Sequence, residues 1–247
     1  MDCLRRGENE DYRTELSIWK DTVAKCQDNA RAHMSLGDAL LEVGQLPAAM
    51  AHFEQALRIE PNYADAHYSL GNALAQTGKI EEAIAHYEQA LRIKPDYAEA
   101  HYGLGLALAR LGRLQEAMGH WEQALRIKPD YAHAHYNYGV TLQGLGKVSE
   151  AMGHYEQALR IEPDFPEAHN NLGIVLYQTG KREEAIEHFK QALQIRPDYA
   201  EAHNDLGIAL ENAGRVPEAI QHYQQALRLR PDLTAARNAL AGLQARQ

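Results

Sequence analysis

Proline recurs along this chain at a constant interval that no insertion or deletion interrupts. The interval is 34 residues, and it connects Pro61, Pro95, Pro129, Pro163, Pro197 and Pro231. A fixed period of this length is typical of repeat architectures, in which each unit is one supersecondary element that cannot bury its apolar face alone. The period therefore predicts one elongated stack of units, whose function depends on a surface rather than on an enclosed pocket.

Two glycine series and one aromatic series keep the same interval. The glycines are Gly37, Gly71, Gly105, Gly139, Gly173 and Gly207, and then Gly44, Gly78, Gly112, Gly146, Gly180 and Gly214. The aromatic residues are Phe53, Tyr87, Trp121, Tyr155, Phe189 and Tyr223. These series predict six full units at 30–63, 64–97, 98–131, 132–165, 166–199 and 200–233. A polar segment (1–14) and a half-repeat helix (15–29) precede them, and a capping helix (234–247) follows.

Residues 64–97 illustrate how one unit is expected to fold. Leu70 and Leu74 belong to a first stretch with helical spacing, and Gly78 then ends that helix, because glycine adopts the left-handed conformation at low cost. A second helical stretch ends before Pro95, which cannot continue a helix. Each unit is therefore predicted to be a pair of antiparallel helices.

Small residues inside these helices indicate close packing. Gly71 and Ala83 are expected to let the two helices approach each other, while Tyr87 fills the space beside them. Glycine inside a helix costs about 1 kcal/mol relative to alanine. A complete glycine series at this position therefore indicates a steric requirement.

The sequence resembles the tetratricopeptide repeat (TPR), in an array of the bacterial type. The motif is LG, G, EA, an aromatic residue, AL and P, and it extends over residues 30–233. The resemblance implies an all-α fold, a right-handed α-solenoid of antiparallel helix pairs known as the TPR superhelix. It also implies a non-catalytic scaffold that binds a peptide or helix segment of a partner protein in a concave groove lined by the first helices.

The charge balance limits the classes of partner. The chain has 34 acidic against 25 basic residues, a net charge of -9, which argues against nucleic acid. We expect a protein or peptide partner of neutral to basic character. No apolar run of about 18 residues occurs, so membrane insertion of this segment is not expected. The expectation is a cytoplasmic protein or a soluble domain of a larger one, with Cys3 and Cys26 as free thiols.

Two histidine series raise the question of metal binding. They are His33, His67, His101, His135, His169 and His203, where the family usually has tryptophan, and His52, His86, His120, His154, His188 and His222. Equivalent residues of stacked units lie roughly 10 Å apart, whereas zinc ligands lie within about 2.1 Å of the ion. Only a cross-pair such as His67 with His86 could share a metal, and nothing supplies a third ligand. We expect packing and local hydrogen bonds, with no metal and no cofactor.

Motifs of catalysis are not found in the sequence. It has no nucleophile elbow, phosphate-binding loop, HExxH motif or Rossmann glycine pattern. The carboxylates of the EEAI and QEAM segments fall in the first turn of second helices, where they oppose the helix dipole. We therefore expect no catalytic residues and no enzyme activity from this segment.

The candidate contact residues are first-helix positions at which the residue changes from unit to unit. The predicted partner-binding set is Met34, Asp38, Tyr68, Asn72, Tyr102, Leu106, Tyr136, Asn137, Val140, Asn170, Asn171, Ile174, Asn204 and Ile208. Its three tyrosines are expected to form an aromatic strip, since tyrosine buries a large area at low entropy cost. The alternative is that the tyrosines only cover the neighbouring helix. A further position is acidic in Asp65, Glu99, Glu167 and Glu201, which favours basic side chains on the ligand.

Two binding modes of similar proteins were compared with this sequence. Chaperone-tail clamps use a lysine where this chain has Met34, Tyr68 and Tyr102, so a clamp for a terminal carboxylate is not expected. The asparagine ladder of the O-GlcNAc transferase repeats corresponds to Ser35, Ser69, Gly103, Asn137, Asn171 and Asp205. Only the fourth and fifth members match, which predicts at most a short grip on a peptide backbone.

Two alternatives to a free-standing scaffold remain open. The stretch before the first full unit resembles the join that leads into the TPR tails of bacterial membrane proteins of the O-mannosyltransferase-like class. The chain would then be the substrate-presenting tail of a larger membrane glycosyltransferase-like protein. The close similarity of successive units also allows a self-assembling scaffold.

Overall fold

A computed structural model of the chain describes residues 15–245, apart from the side chain of Gln244. Every regular element within these residues is an α-helix, so the expected all-α class is confirmed. The predicted N-terminal segment at 1–14 lies outside the described residues. The last two residues of the predicted capping helix lie outside them as well.

The helices alternate between first and second members of a pair. The first helices are α2 (Ala30–Glu42), α4 (Ala64–Gln76), α6 (Ala98–Arg110), α8 (Ala132–Gly144), α10 (Pro166–Gln178) and α12 (Ala200–Asn212). The second helices are α3 (Leu46–Ile59), α5 (Ile80–Ile93), α7 (Leu114–Ile127), α9 (Val148–Ile161), α11 (Arg182–Ile195) and α13 (Val216–Leu229). Helix α1 (Glu15–Lys25) precedes them, and α14 (Thr234–Gln244) follows.

The chain divides into two compact units, Met1–Pro129 and Asp130–Gln247. The described part of the first contains α1–α7, and that of the second contains α8–α14. Within each unit, a helix contacts its pair partner most extensively and the next pair less so. Within each unit, helix pairs stacked in chain order form a helical repeat solenoid of the kind that the sequence predicts.

The second glycine series ends the first helices. These glycines have positive φ values of 73° to 84°: Gly44, Gly78, Gly112, Gly146, Gly180 and Gly214. In the second full repeat, the N–H of Lys79 donates to the carbonyl of Leu74 at 3.0 Å, which closes the turn. The left-handed conformation predicted for Gly78 is therefore confirmed.

The first glycine series makes room for the aromatic series. A Cβ atom added at Gly71 would lie 2.8 Å from Cε1 of Tyr87, closer than real Cβ contacts. The ring of Tyr87 is buried at 2% exposure, beside Ala83 and Ala90 at 0%. The predicted steric requirement for glycine is therefore confirmed.

Two further findings concern membrane-spanning helices and cysteine. None of the helices within residues 15–245 is long and apolar enough to cross a membrane. Cys26, which follows α1, is disulfide-bonded, so the prediction that it is a free thiol is wrong. Cys3 lies outside the described residues.

Candidate functional site

We use the term first-helix face for the predicted contact residues on the first helices, taken separately in each unit of the structure. In the first unit, Asp38 is exposed and Tyr68, Asn72, Tyr102 and Leu106 are half-buried. In the second unit, Val140 is 40% exposed, and Tyr136, Asn137, Asn171, Ile174 and Ile208 are half-buried. These residues keep side-chain surface that a ligand can reach.

Three predicted contact residues are buried instead. Met34 is 8% exposed, Asn170 is 3% and Asn204 is 8%. Their side chains offer little surface to a partner in this structure, and their role in binding stays a prediction. The repeat register identifies equivalent positions but not depth, which depends on the residues that pack over each position.

The tyrosines of the first-helix face pack between rings. The ring centroid of Tyr68 lies 6.2 Å from that of Tyr87 on α5 and 5.1 Å from that of Tyr97, the last residue of the same repeat. Tyr136 has the same relation to Tyr155 and Phe165, at 6.0 and 4.8 Å. Covering the neighbouring helices is therefore one role of these tyrosines, and their half-exposed surface is left for a ligand.

The polar tips of the buried tyrosines bond to first helices. The hydroxyl of Tyr87 donates to Oδ1 of Asn72 at 2.7 Å, and that of Tyr155 donates to Oε1 of Gln143 at 2.7 Å. Nε1 of Trp121, in contrast, is buried without an acceptor within the described residues. Asn72 thus serves the fold as well as the first-helix face. Gln143 was missed because no position near the C-terminal end of a first helix was considered.

An aliphatic row lies on the first-helix face of the second unit. Val140, Ile174 and Ile208 occupy equivalent positions on α8, α10 and α12. Asparagine precedes each of the first two by one turn. Asn171 donates from Nδ2 to the hydroxyl of Tyr136 at 3.2 Å, and Asn137 donates to the carbonyl of His133 at 2.9 Å.

The predicted acidic edge is largely compensated by bases of the same chain. Glu99 pairs with Lys128 at 3.3 Å, Glu167 pairs with Arg196 at 2.8 Å, and Glu201 pairs with Arg230. In each pair the base follows the acid by 29 residues, a signal that sequence reasoning missed. In the fourth repeat the base precedes the acid instead, and Nε2 of His133 lies 3.9 Å from Oε2 of Glu162. These paired acids give little reason to expect a basic ligand along this edge.

Asp38 is the charged residue of the first-helix face in the first unit. Partial burial of its carboxylate raises the pKa to about 6, with smaller contributions from repulsion by Glu42, Asp65 and Glu15. More than a third of the residue is exposed, so solvent screens these interactions. Asp38 is thus a carboxylate that titrates close to neutral pH.

Two histidines, one from each helix of a pair, are in contact in every full repeat. The two Nδ1 atoms are 2.9–3.0 Å apart in His33–His52, His67–His86, His101–His120, His135–His154, His169–His188 and His203–His222. Within residues 15–245, no three His, Cys, Asp or Glu residues are grouped so as to hold a metal ion. The Nδ1–Nδ1 distances show that each pair is a hydrogen bond between the two helices of one repeat.

Models of a repeat family match most of the chain. A model described as TPR repeat matches residues 37–78, 71–112, 106–146 and 144–180, and one described as tetratricopeptide repeat matches 164–232. No curated protein matches the sequence.

Several solved structures are similar in fold. The APC/C hetero-tetramer Cut9–Hcn1 aligns at 20% identity and a TM-score of 0.78, over 94% of this chain and 46% of that chain. This chain thus spans less than half of that relative. PilF of Pseudomonas aeruginosa aligns at 21% identity and a TM-score of 0.80, over 89% of this chain and 99% of that one. YrrB, described as a TPR protein with an unusual peptide-binding site, aligns at 24% identity and 0.61, over 76% and 96%.

Proposed function

Because this chain belongs to the tetratricopeptide repeat family, we propose that it is a non-catalytic scaffold that binds a segment of a partner protein on its first-helix face. The fold is typical of protein–protein interaction scaffolds, and one protein of similar fold, YrrB, is described as having a peptide-binding site. The segment is a peptide or a helix, and the contact residues are those of the predicted set that remain accessible.

The observation that carries this proposal is the aliphatic row of the second unit. Val140 is 40% exposed, and it lies on a helix whose other large apolar residues are at least half-buried. Ile174 and Ile208 repeat the position with half-buried side chains. A row of accessible aliphatic groups at equal steps suits a segment with apolar side chains at regular spacing.

Polar groups beside the row supply orientation. The amide of Asn171 donates to the hydroxyl of Tyr136, and a primary carboxamide also has two acceptor lone pairs on its oxygen. An oxygen of this kind can accept from the N–H of a peptide backbone. In the first unit, Leu106 and Tyr102 provide the corresponding apolar surface beside Asp38 and Asn72.

The test is selection of ligands from a random peptide library displayed on phage. Selected peptides are synthesised, and their affinities are measured for the wild-type chain and for Val140→Gln/Ile174→Gln. Removal of apolar contacts at the centre of an interface should weaken binding by about tenfold or more. The matched control is Glu156→Gln, an exposed position on α9. Selected peptides that bind the double variant as tightly as the wild type would show that the first-helix face is not the site.

A further inference from the structure

Asp205 lies on α12 at the position that Asn137 and Asn171 occupy on the two preceding first helices. Its carboxylate accepts two hydrogen bonds, from Nδ2 of Asn170 at 3.1 Å and from Nδ2 of Asn204 at 3.2 Å. Both asparagines are more than nine-tenths buried, at 3% and 8% exposure, whereas Asp205 is only half-buried. Two buried amides thus hold the carboxylate of a residue that is itself only partly buried.

The carbonyl groups of the same two asparagines lack donors. Oδ1 of Asn170 and Oδ1 of Asn204 are buried without a hydrogen-bond partner among the described residues. Rotating either carboxamide by half a turn would place its oxygen against the carboxylate of Asp205, which is an acceptor as well. The three side chains therefore form a cluster with an excess of acceptors, and a buried acceptor without a donor calls for an explanation.

Two arginines of the fifth and sixth repeats, Arg196 and Arg230, pair with other acids, although Nε and Nη2 of Arg196 and Nε of Arg230 are buried without a hydrogen-bond partner among the described residues. Arg196 pairs with Glu167 and lies over the ring of Tyr199, at 3.9 Å from the centroid. Arg230 pairs with Glu201. Within residues 15–245, no lysine or arginine forms an ion pair with Asp205.

Burial raises the pKa of Asp205, the hydrogen bonds from Asn170 and Asn204 oppose that rise, and repulsion from Glu201 adds to it. Desolvation of an anion without a counter-ion is unfavourable. A positively charged ligand group at Asp205 would supply the missing counter-ion.

We propose that Asp205, supported by Asn170 and Asn204, is a receptor for the ammonium group of a lysine side chain on the bound segment. A lysine ammonium has three N–H donors and no acceptor, in a compact group. Arginine suits the position less well. Each carboxylate oxygen of Asp205 already accepts a hydrogen bond from an asparagine amide, whereas a bidentate guanidinium group needs both oxygens in its own plane.

The position of Asp205 on α12 also predicts a second feature of the ligand. Ile208 follows it by three residues, and residues at this spacing are neighbours on a helix surface. The expected ligand thus has a lysine close to an apolar residue. This inference rests on the proposed function, because the segment that lies along the aliphatic row is the one that carries the lysine.

A double-mutant cycle tests the contact. Peptides selected on the wild-type chain are synthesised in two forms, with lysine and with acetyl-lysine at the same position. We expect acetylation to weaken binding to the wild type by about tenfold, the loss of one charged hydrogen-bonded contact. With Asp205→Asn, both forms should bind alike. Asparagine occupies the equivalent position in the two preceding repeats, so this variant is compatible with the fold.

The outcomes separate the two proposals. Selected peptides that lack a lysine preference, or an acetylation effect of equal size in wild type and Asp205→Asn, would overturn the lysine receptor. Loss of binding in Val140→Gln/Ile174→Gln would still support the first-helix face in that case. If no peptide is enriched at all, both proposals fail.

A second measurement does not depend on the library. Titration of the chain with N-acetyl-lysine methylamide is followed by NMR through the side-chain amide signals of Asn170 and Asn204. We expect both signals to shift in the wild type and to remain unchanged in Asp205→Asn. Calcium chloride is the comparison, because a hard cation also prefers oxygen ligands. A response to calcium without a response to the lysine compound would refute the proposal.

Discussion

Nδ1 of His67 lies 2.9 Å from Nδ1 of His86, and Nε2 of His67 lies 3.1 Å from the carbonyl oxygen of Pro61. The carbonyl oxygen only accepts, so Nε2 of His67 carries a hydrogen atom. In the neutral ring Nδ1 is then the acceptor, and His86 must donate from its own Nδ1. One proton can be added at Nε2 of His86 without loss of this bond. A second proton would place hydrogen atoms on both facing Nδ1 atoms and break it.

The first prediction concerns these tautomers. The first-helix histidines His67, His101, His169 and His203 each place Nε2 near a backbone carbonyl oxygen, at 3.0–3.1 Å. We expect NMR spectra at pH 8 to show the Nε2–H tautomer for these rings and the Nδ1–H tautomer for their partners on the second helices. Finding the Nε2–H tautomer in both rings of a pair would contradict the assignment, because both Nδ1 atoms would then be acceptors.

The second prediction is that the chain loses stability in mild acid. Burial lowers the pKa of His67, His101, His169 and His203. Burial first, and then repulsion by the partner ring, lowers the pKa of His52, His86 and His188. The same order of causes holds for His120 and His222. The ordinary value of 6.5 applies to the unfolded chain, which therefore binds more protons than the folded chain below that pH.

The sign follows from this difference in bound protons. The stabilising contribution is complete above pH 6.5 and decreases as the pH falls towards the lowered values of the folded state. Glu82 opposes the shift at His86, and Glu116 opposes it at His120. Urea unfolding at pH 7.5 and pH 5.5 measures the effect. In His67→Gln/His86→Gln the loss between the two pH values should be smaller, and an equal loss would exclude the pair as a source.

The third prediction concerns the packing glycines. A Cβ atom at Gly71 would lie 2.8 Å from Tyr87, so Gly71→Ala should destabilise the chain by about 1–3 kcal/mol through overpacking. The matched control is Gly119→Ala on α7, where an added Cβ atom meets nothing within 4 Å. That change should stabilise by up to about 1 kcal/mol because alanine favours helix. Chemical denaturation measures both variants, and a similar sign for the two would contradict the steric account.

The fourth prediction concerns the buried hydroxyl of Tyr87. Asn72→Leu removes its acceptor and should cost about 1–3 kcal/mol of unfolding free energy. Adding Tyr87→Phe removes the unpaired hydroxyl, and most of the loss should be recovered. The fifth full repeat already has this combination of types, with Phe189 and Ile174 at the equivalent positions. Additive losses in the double variant would show that Asn72 acts in some other way.

The fifth prediction concerns Asp38. Its pKa in the folded chain is raised from 3.8 to about 6, so its ionised form opposes folding above this range. Asp38→Asn should raise stability at pH 7 by about 1 kcal/mol or less, since solvent screens the charge. The gain should disappear as the pH falls from 6 to 3.8. Glu88→Gln on the exposed surface of α5 controls for net charge, and a gain of equal size there would contradict a local cause.

The sequence predicted the helix pairs well because their determinants are local and repeated. Gly78 adopts the left-handed turn that its place after a helical stretch requires, and Gly71 meets the ring that returns sixteen residues later. The candidate site was predicted less completely. Tyr68 and Val140 keep accessible surface, but Met34 does not. The burial of a side chain depends on the residues that pack over it, and the repeat pattern does not specify these.

Polar partners were the other source of error. The ion pair of Glu99 with Lys128 could have been found from its spacing, which recurs in later repeats. The bonds from Asn170 and Asn204 to Asp205 could not, because amide and carboxylate side chains have no periodic signature. Whether such groups meet depends on rotamers, and the sequence does not specify these.

Both partners of each 29-residue ion pair belong to the same repeat, as in Glu167 with Arg196 and Glu201 with Arg230. A gene duplication or deletion of one whole repeat therefore copies or removes a complete pair and never leaves a lone charge. The bond from Asn170 to Asp205 differs, because its two residues are 35 positions apart and belong to successive repeats. Genetic exchange at this junction would break it, and exchange between the fourth and fifth repeats would likewise break the bond from Asn171 to Tyr136.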